Sequence, residues 1–420
     1  MVAQTQSDYW AQTSLSMVDK VIDNDYQLLE ELGHGSYGCL FLGQSLTDNT
    51  YVAIKVLSKL GLDNQQLELQ QLEIDIQASL KHPYLLGLER VIHEKNHVFM
   101  VMELCDQGDL FDFVVQQDKS DENVVKSSFI QILEAVEHMH AQGVYHRDLK
   151  LENVLLKSDN HDDDCSTFTC KVADFGLATR ERYSLEFGCG STTYLAPEHF
   201  DDDHHTTTTT STKATDGDTT ELVPYDAAAS DVWSVGILLL AFLFGRNPWQ
   251  EATSMDPSFV EYRRDPSILK NQLFPTLSPA CAQFLQNVLT VDGADRPSIT
   301  QVKEQFLKLD RLLINDEDDD DDLLDDEDWY LDARLPVDIP IVPKSSNKAS
   351  FDSAIFSAGV VSLTSSGMSW SDMVEEDFQK ADSHGYSSLS SSIIEEEDEQ
   401  EDYDDTDMFV HSQEKGSWWL

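Results

Sequence analysis

The sequence has few basic residues for its length. Only 28 Lys and Arg stand against 78 Asp and Glu, and the formal net charge of the 420 residues is −50. Such a chain repels phosphate backbones and anionic lipid surfaces, so we expect neither nucleic acid nor a membrane among its partners. The hydrophobic content of 40% is nevertheless sufficient for one large globular domain or two small ones.

Cysteine and long apolar runs are also scarce. The six cysteines are scattered, and the chain does not open with a basic start followed by an apolar stretch. These features favour a reducing compartment, and we therefore expect the cytoplasm or the nucleus. The most apolar run, residues 232–244, is shorter than the roughly 20 residues that cross a bilayer, so we interpret it as a buried core helix.

Composition divides the chain into three parts. Residues 1–25 are polar without a sustained apolar period, and we predict a lead-in outside the domain. Residues 26–313 read as ordered structure, but two polar segments within them, 158–169 and 201–220, are predicted to be surface insertions. Residues 314–420 combine acidic runs with a serine-rich stretch and are predicted to be disordered, since they cannot bury enough apolar area to offset the ordering entropy.

The ordered part begins as a sheet and continues as helices. Residues 28–32, 37–42 and 51–57 are β-prone runs separated by Gly and Asn/Asp turns, which predicts an antiparallel sheet. Apolar residues then recur at helical spacing over 69–80 and again over 120–142, where Gly143 is a plausible C-terminal cap. From this point on, the chain is predicted to be mostly helical.

The segment Gly33-His34-Gly35-Ser36-Tyr37-Gly38 has glycines spaced G-x-G-x-x-G between two predicted strands. Glycines let backbone amides approach phosphate oxygens closely, which favours a nucleotide-binding loop. An ordinary hairpin also fits these residues. A dinucleotide-binding turn requires a helix directly after the glycines, whereas here a strand follows.

A lysine and a glutamate follow at informative positions. Lys55 ends the run Val52-Ala53-Ile54-Lys55 on the third predicted strand, and Glu73 lies on the helix after it. Either residue alone would usually be a surface charge. Together they are typical of an ion pair that positions the α- and β-phosphates of a nucleotide.

Three further strings carry the strongest signal. They are Tyr145-His146-Arg147-Asp148-Leu149-Lys150-Leu151-Glu152-Asn153, Ala173-Asp174-Phe175-Gly176 and Ala196-Pro197-Glu198, in this order along the chain. With these residues the sequence resembles the eukaryotic protein kinase family over about 26–313. The resemblance implies an α+β, two-lobed protein kinase fold. Its small lobe (26–105) would hold an antiparallel sheet with one key helix, and its large lobe (106–313) would be mainly helical.

The resemblance also implies a role for each matched residue in phosphoryl transfer from ATP, bound with Mg²⁺, to a protein substrate. Asp148 would accept or orient the proton of the substrate hydroxyl. Lys150 resembles the lysine of serine/threonine kinases, and Ser191 occupies the place of their usual threonine, so tyrosine specificity is disfavoured. Asn153 and Asp174 would supply hard oxygen ligands to Mg²⁺.

The nucleotide pocket implied by the resemblance consists of the glycine loop, apolar side chains around the base, and a hinge between the lobes. Its residues are Leu32, Gly33, Gly35, Ser36, Gly38, Leu40, Ala53, Met102 and Leu155, with Glu103 to Cys105 as the hinge. The resemblance further implies that the core helix around Asp231 anchors the catalytic loop (145–153), and that Arg296 pairs with Glu198.

One departure from the family concerns regulation. In the activation segment (174–198), Phe187 occupies the position that is commonly phosphorylated. We hypothesise that Glu186, or a phosphate on Ser184 or Tyr183, supplies the anion that balances Arg147.

A fainter pattern concerns substrate choice. Asp109 and Glu152 match positions at which some basic-directed kinases carry acids. We hypothesise that substrates carry Arg or Lys two to three residues before the target Ser or Thr. Alternatively, these two acids are solvated surface charges, and the sequence favours the two interpretations equally.

Two other functions stay open at this point. A pseudokinase would keep the fold and act as a binding scaffold, with the acidic tail docking regulatory proteins; alternatively, the tail is the main functional element and the domain its carrier. The presence of Lys55, Glu73, Asp148, Asn153 and Asp174 argues for catalysis. We expect a monomer.

The tail and the insertions narrow the resemblance. The stretch 368–377 mixes apolar anchors with acids, a composition typical of docking peptides. Together with the acidic and threonine-rich insertions, it resembles fungal kinases of the nutrient-response and meiosis-control group.

Overall fold

The computed structural model describes residues 13–34, 38–117, 121–158, 168–200, 206–208 and 220–314. Most of the two predicted insertions and the tail from 315 onward, including the predicted docking peptide, lie outside them.

The small lobe is built on a six-stranded antiparallel sheet with the strand order β1-β2-β3-β4-β6-β5. Its strands are β1 (Val21–Ile22), β2 (Tyr26–His34), β3 (Gly38–Ser45), β4 (Tyr51–Ser58), β5 (Leu88–His93) and β6 (His97–Glu103). Side chains alternate along β4, so Ile54 packs with Phe41 and Phe99 on one face, while Ala53 and Leu57 pack on the other. Lys55 shares the second face because it is two residues from each of them.

Helix α1 (Asn64–Ser79) lies on that second face. It begins with a capping box, in which Asp63 accepts from the Gln66 amide (2.8 Å) and Gln66 accepts from the Asp63 amide (3.0 Å). The helix was predicted over 69–80, but its buried face is more polar than the predicted apolar stripe. Leu69 is 48% exposed, whereas Glu73 and Gln77 are buried, because this face makes polar contacts with the sheet.

Residues 13–25 belong to the small lobe. Met17 and Ile22 are buried in the same cluster as Phe41 and Phe99, and β1 pairs with β2. The prediction that residues 1–25 form a lead-in outside the domain is therefore wrong for 13–25. Isolated apolar residues between polar ones form no periodic pattern, so the sequence does not predict their burial.

The large lobe is mainly helical, as predicted. Its helices are α2 (Leu110–Gln116), α3 (Glu122–Ala141), α4 (Ala227–Phe244), α5 (Pro257–Arg264), α6 (Pro279–Val288) and α7 (Ile299–Phe306). The apolar stripe of α3 is fully buried, and Gly143 follows it with a φ of +67°. Helix α4 is long and apolar enough to cross a membrane, but 89% of it is buried inside the fold, which makes it the expected core helix.

Short strand pairs complete the large lobe. They are β7 (Val154–Ser158) with β8 (Phe168–Val172), β9 (Tyr183–Ser184) with β12 (Tyr225–Asp226), and β10 (Thr206–Thr208) with β11 (Thr220–Leu222). Ser158, Phe168 and Thr169, at the ends of the first predicted insertion, thus lie in the β7–β8 pair, and the second predicted insertion includes β10 and the first residue of β11. With both lobes in place, the predicted α+β, two-lobed fold is confirmed.

A buried ion pair joins Glu198 to the helical core. Arg296 donates from Nη1 to Glu198 Oε1 (2.6 Å) and from Nη2 to Oε2 (2.7 Å). The remaining N–H groups donate to backbone carbonyls, and the guanidinium lies 5.0 Å from the centre of the Trp233 ring. The Arg296 side chain is completely buried, so its charge depends on these protein partners, while the Glu198 side chain is 18% exposed.

We expect Arg296→Ala to lower the free energy of unfolding by about 3 to 5 kcal/mol, since it removes a completely buried side chain and leaves the largely buried Glu198 carboxylate without its partner. The control is Arg182→Ala, which removes an ion pair with Asp226 whose arginine is 55% exposed, and which should cost about 0 to 1 kcal/mol. Urea unfolding followed by tryptophan fluorescence measures both. Equal midpoints for the two variants would contradict the structural role of Arg296.

Candidate active site

Lys55 and Glu73 meet in the cleft beneath the sheet. Lys55 Nζ donates to Glu73 Oε1 at 2.8 Å, and Glu73 is 3% exposed. Burial raises the pKa of the Glu73 carboxyl and is opposed by Lys55, while Asp174 adds to the rise. No donor among the described residues reaches Glu73 Oε2, so the stability of this buried carboxylate depends on Lys55.

The glycine loop is described only at its two ends. Gly33 and Gly38 lie on β2 and β3, while Gly35 and Ser36 lie outside the described residues. A Cβ on Gly38 would come within 2.5 Å of the Val56 carbonyl oxygen, so only glycine fits there. The close approach of β3 to β4 thus requires one of the predicted glycines.

The predicted nucleotide pocket is largely brought together. Leu40, Ala53, Met102, Cys105 and Leu155 pack in a single apolar cluster. This cluster also contains Leu88 and Ala173, which the sequence analysis missed because nothing in their local pattern sets them apart from other core residues. Leu32 is the exception, since it lies at an irregularity of β2 and is outside the cluster.

The hinge residue Glu103 uses its side chain in a way that the sequence did not predict. Its Oε1 accepts from Lys171 Nζ (2.9 Å) and from the Gly87 amide (2.8 Å), and its Oε2 accepts from Lys157 Nζ (2.8 Å). Burial alone would raise the pKa of this carboxyl, but the donors hold it below the ordinary value. Glu103 therefore ties the hinge to the β7–β8 pair that leads to Asp174.

Asp231 anchors the catalytic loop by accepting hydrogen bonds from the loop backbone. This carboxylate is completely buried in α4 and accepts from the backbone amides of His146 (2.9 Å) and Arg147 (2.8 Å). The His140 ring lies 2.8 Å from the same carboxylate. Arg147 has a φ of +67°, a backbone conformation that is costly for a non-glycine residue and persists only where the surroundings impose it.

Asp148 follows in this loop and is held by four donors. Its Oδ1 accepts from the Ser191 amide and hydroxyl, both at 2.9 Å, and Lys150 Nζ lies 3.3 Å from Oδ2. Asn153 Nδ2 donates to Oδ2 at 3.0 Å. Burial alone would raise the pKa of Asp148, but Lys150 and the Ser191 donors help to keep it below the ordinary value. The carboxylate is thus ionised and fixed in one orientation.

Lys150 bridges the catalytic loop and the activation segment. Its ammonium group donates to Ser191 Oγ at 2.8 Å while it stays close to Asp148. Burial works against the charged form of Lys150, but Asp148, Glu152 and Asp174 outweigh it and raise the pKa. A permanent positive charge therefore lies beside the proposed base.

Asn153 and Asp174 fit a divalent cation that takes its other ligands from phosphates. The Asn153 amide nitrogen is committed to the Asp148 backbone carbonyl (2.7 Å) and carboxylate, which leaves the amide oxygen as the end available to a cation. Asp174, with a φ of +62°, adds a carboxylate. Among the described residues, no three His, Cys, Asp and Glu side chains are grouped to bind a metal by themselves. One carboxylate and one amide oxygen match the sparse protein ligation of Mg²⁺ at nucleotides.

The activation segment pairs Arg147 with Glu186. Arg147 Nη1 donates to Glu186 Oε2 at 2.6 Å, and its Nε donates to the Leu177 carbonyl at 2.6 Å. Next to this pair, the Phe187 ring packs at 5.4 Å from that of Tyr225. Of the three hypothesised sources of the anion, the carboxylate is the one in contact with Arg147, while Ser184 is buried.

The two acids hypothesised to select substrates lie within electrostatic reach of each other. Asp109 accepts from the Asp112 amide (2.8 Å) as the N-terminal cap of α2. Burial raises the pKa of Asp109 to about 7, and the nearby carboxylates of Asp112 and Glu152 contribute. Glu152 lines a surface cavity next to Ser191. Asp109 therefore changes charge near neutral pH.

Comparison with known proteins agrees with this geometry. The family described as the protein kinase domain matches residues 26–307. A Schizosaccharomyces pombe protein named negative regulator of sexual conjugation and meiosis is 33% identical over 266 residues, which are 60% of this chain and 54% of that protein. The serine/threonine-protein kinase ksp1 of the same yeast is 31% identical over 324 residues, 74% of this chain and 63% of its own length.

More distant organisms also contain relatives. The maternal embryonic leucine zipper kinase of Xenopus tropicalis is 32% identical over 280 residues, 65% of this chain and 37% of that protein. The chain thus spans less than two thirds of the length of each of these three relatives. The two yeast proteins agree with the narrower resemblance to fungal kinases of meiosis control.

Proposed function

The chain belongs to the protein kinase family, and we propose that it is a serine/threonine protein kinase that transfers the γ-phosphate of ATP to hydroxyl groups of protein substrates. One observation carries the proposal. The Lys55–Glu73 pair of the small lobe and the Asp148–Asn153 pair of the large lobe are both formed, and Asp174 interacts electrostatically with Glu73 and with Lys150. Two lobes thus present the charges that phosphoryl transfer needs in one cleft.

Each residue has a task in the proposed reaction. ATP supplies the phosphoryl group, and Asn153 and Asp174 would hold a Mg²⁺ ion, which would supply positive charge to the phosphates. Lys55 binds the α- and β-phosphates and is positioned by Glu73. Asp148, fixed by its donors, orients the substrate hydroxyl and accepts its proton.

Lys150 adds a second electrostatic contribution. Its ammonium group lies beside the proposed base and donates to Ser191 at the same time, so it is in place to stabilise negative charge as the hydroxyl attacks. The same bond connects catalysis to the conformation of the activation segment. A serine or threonine substrate would occupy the space in front of Asp148.

A pseudokinase scaffold is the alternative from another class. It predicts the loss of a phosphate or metal ligand, whereas Lys55, Asp148 and Asp174 are all retained, with Lys55 bonded to Glu73 and Asp148 to Ser191. The reading in which the acidic tail is the main functional element concerns residues outside the described part. Phosphoryl transfer that Asp148→Asn and Asp174→Ala abolish would distinguish an active kinase from a pseudokinase.

The finer features of the proposal concern partners and place of action. We expect substrates with Arg or Lys near the target residue, since Asp109 and Glu152 put two acids close together. We further propose regulatory proteins that bind the acidic tail, a monomeric enzyme, and a cytoplasmic or nuclear location. The five described cysteines are all free thiols, which supports a reducing compartment.

We expect Asp148→Asn and Asp174→Ala each to reduce phosphorylation of a serine peptide by roughly 100-fold or more, because one removes the proton acceptor and the other a metal ligand. Transfer of ³²P from labelled ATP measures the rate, and thermal unfolding checks that the variants are folded. The matched control Asp310→Asn, at an exposed aspartate, should keep full activity. Undetectable transfer by the folded wild-type protein, with every modification supplied, would contradict the proposal.

Activity should not require a phosphate on the activation segment, because Glu186 already supplies an anion to Arg147. We expect phosphatase-treated protein to keep its kcat and Glu186→Ala to lose roughly fivefold, the value of one charge-assisted hydrogen bond at an exposed site. The control Glu181→Ala removes an exposed carboxylate from the same segment and should change nothing. Full loss of activity after phosphatase treatment would show that a phosphate is required and would contradict the role of Glu186 as the anion.

The KM for a basic peptide should depend on pH through Asp109. The carboxyl is charged above its pKa of about 7 and neutral below it, so attraction of an arginine is present at pH 8 and fades towards pH 6. We expect the KM to rise roughly threefold to tenfold over this interval. Asp109→Asn keeps a side chain suited to capping α2 and should give a high KM that no longer changes with pH. An unchanged pH profile in this variant would remove Asp109 from substrate recognition.

A further inference from the structure

His199 directly follows the Ala196-Pro197-Glu198 motif and is only 6% exposed. Its ring forms a hydrogen bond at each nitrogen. Nδ1 accepts from the Gly188 amide at 3.3 Å, and Nε2 lies 2.8 Å from Ser230 Oγ. Gly188 belongs to the activation segment, and Ser230 lies near the start of the core helix α4. His199 therefore connects the activation segment to this buried helix.

The two contacts of His199 define its protonation state. A backbone amide can only donate, so Nδ1 faces Gly188 with its lone pair, and the neutral ring carries its proton on Nε2. Nε2–H then donates to the Ser230 hydroxyl. A proton on Nδ1 would set one N–H group against another. The connection between the activation segment and α4 thus requires one tautomer of the neutral ring.

Aromatic packing holds the imidazole in this orientation. The centre of the Tyr225 ring lies 4.3 Å from that of His199 and 5.4 Å from that of Phe187. Tyr225 is itself 5% exposed and lies two residues before α4. Phe187, at the position that is commonly phosphorylated, therefore packs into the same cluster whose histidine binds the next backbone amide, that of Gly188.

Gly188 is only three residues from the contact with the proposed base. Ser191 donates to Asp148 through its amide and its hydroxyl, both at 2.9 Å. Between the two positions the chain passes directly against the catalytic loop, since a Cβ on Gly190 would come within 2.5 Å of the Arg147 carbonyl oxygen. A hydrogen bond that fixes Gly188 thus restricts where Ser191 can lie.

Helix α4 then positions both segments that meet at Asp148. Ser230 holds the activation segment through His199. Its neighbour Asp231 holds the catalytic loop by accepting from two backbone amides of that loop. Adjacent residues of one buried helix therefore set the distance between the base and the donors that orient it.

We propose that His199 is a positioning residue for phosphoryl transfer, which holds the activation segment in the conformation where Ser191 reaches Asp148. The proposal rests on the proposed kinase function and extends it to a segment without a phosphate. Lys150 donates to Ser191 Oγ at 2.8 Å, so a shift of Ser191 would disturb both the base and the ammonium group beside it. The binding of ATP uses side chains on other elements and should not depend on His199.

The first test replaces His199 by an aromatic ring without nitrogens. His199→Phe keeps a ring to pack on Tyr225, and we expect the kcat for a serine peptide to fall roughly tenfold, the effect of about one hydrogen bond left unmade at a buried site. The KM for ATP should stay constant. The control His93→Phe, at an exposed histidine of β5, should change neither value. A wild-type kcat in His199→Phe would overturn the proposal.

Two conservative variants show which nitrogen matters. Asparagine places an amide group near the position of Nδ1, whereas glutamine places one near that of Nε2. We expect His199→Asn to restore most of the kcat, since its oxygen can accept from Gly188, and His199→Gln to be as slow as His199→Phe. Equal losses in all three variants would mean that the ring only fills space, and would overturn the positioning role.

The last test does not depend on activity. We expect ¹⁵N NMR of the wild-type His199 ring, identified by the signal missing from His199→Phe, to show the proton on Nε2. Hydrogen exchange of the Ser191 amide should be roughly tenfold faster in His199→Phe than in the wild type, and slow again in His199→Asn.

These measurements separate the positioning role from the kinase function. A proton on Nδ1, or equal exchange of the Ser191 amide in the wild type and His199→Phe, would overturn the proposal even in an active kinase. Faster exchange in His199→Phe of a protein whose wild type transfers no phosphate would support the contact and contradict the proposed function instead.

Discussion

The buried carboxylate of Asp231 is the constraint on which the catalytic centre depends. It lies completely inside the core helix α4, yet its pKa is held below the ordinary value by the donors from His140 and the catalytic-loop backbone, against the effect of burial. An interior charge of this kind tolerates only one arrangement of its donors. The amides of His146 and Arg147 are therefore fixed, and the left-handed backbone of Arg147 turns Asp148 towards Ser191 and Asn153.

Basic residues are few in this chain, and several of them pair with a particular buried or partly buried carboxylate. Lys55 neutralises Glu73, Lys150 neutralises Asp148, and Arg296 neutralises Glu198. Lys157 and Lys171 share Glu103 at the hinge. In a chain with a net charge of −50, each of these acids would otherwise face further negative charge and a strong penalty for burial. Glu73, Asp148 and Glu103 thus each lie beside at least one cation.

The sequence predicted those parts of the fold and site that depend on local pattern or on family motifs. The family motifs predicted the pairing of Lys55 with Glu73, and the apolar stripe of α3 predicted a helix. The packing of Met17 and Ile22, the exposure of Leu69 and the role of Glu103 were not predictable. Each of these depends on contacts between residues far apart in the chain, and no local period or motif records such contacts.

Cys105 in the pocket wall has a chemical consequence for nucleotide analogues. Burial raises the pKa of its thiol to about 12, with Glu103 adding to the rise. Only the thiolate reacts with electrophiles, and its fraction at neutral pH is on the order of 10⁻⁵. An acrylamide group aimed at the base pocket would thus react with this sulfur far more slowly than with glutathione. Ligands of the base pocket are therefore expected to bind through reversible contacts with its wall rather than by alkylation of Cys105.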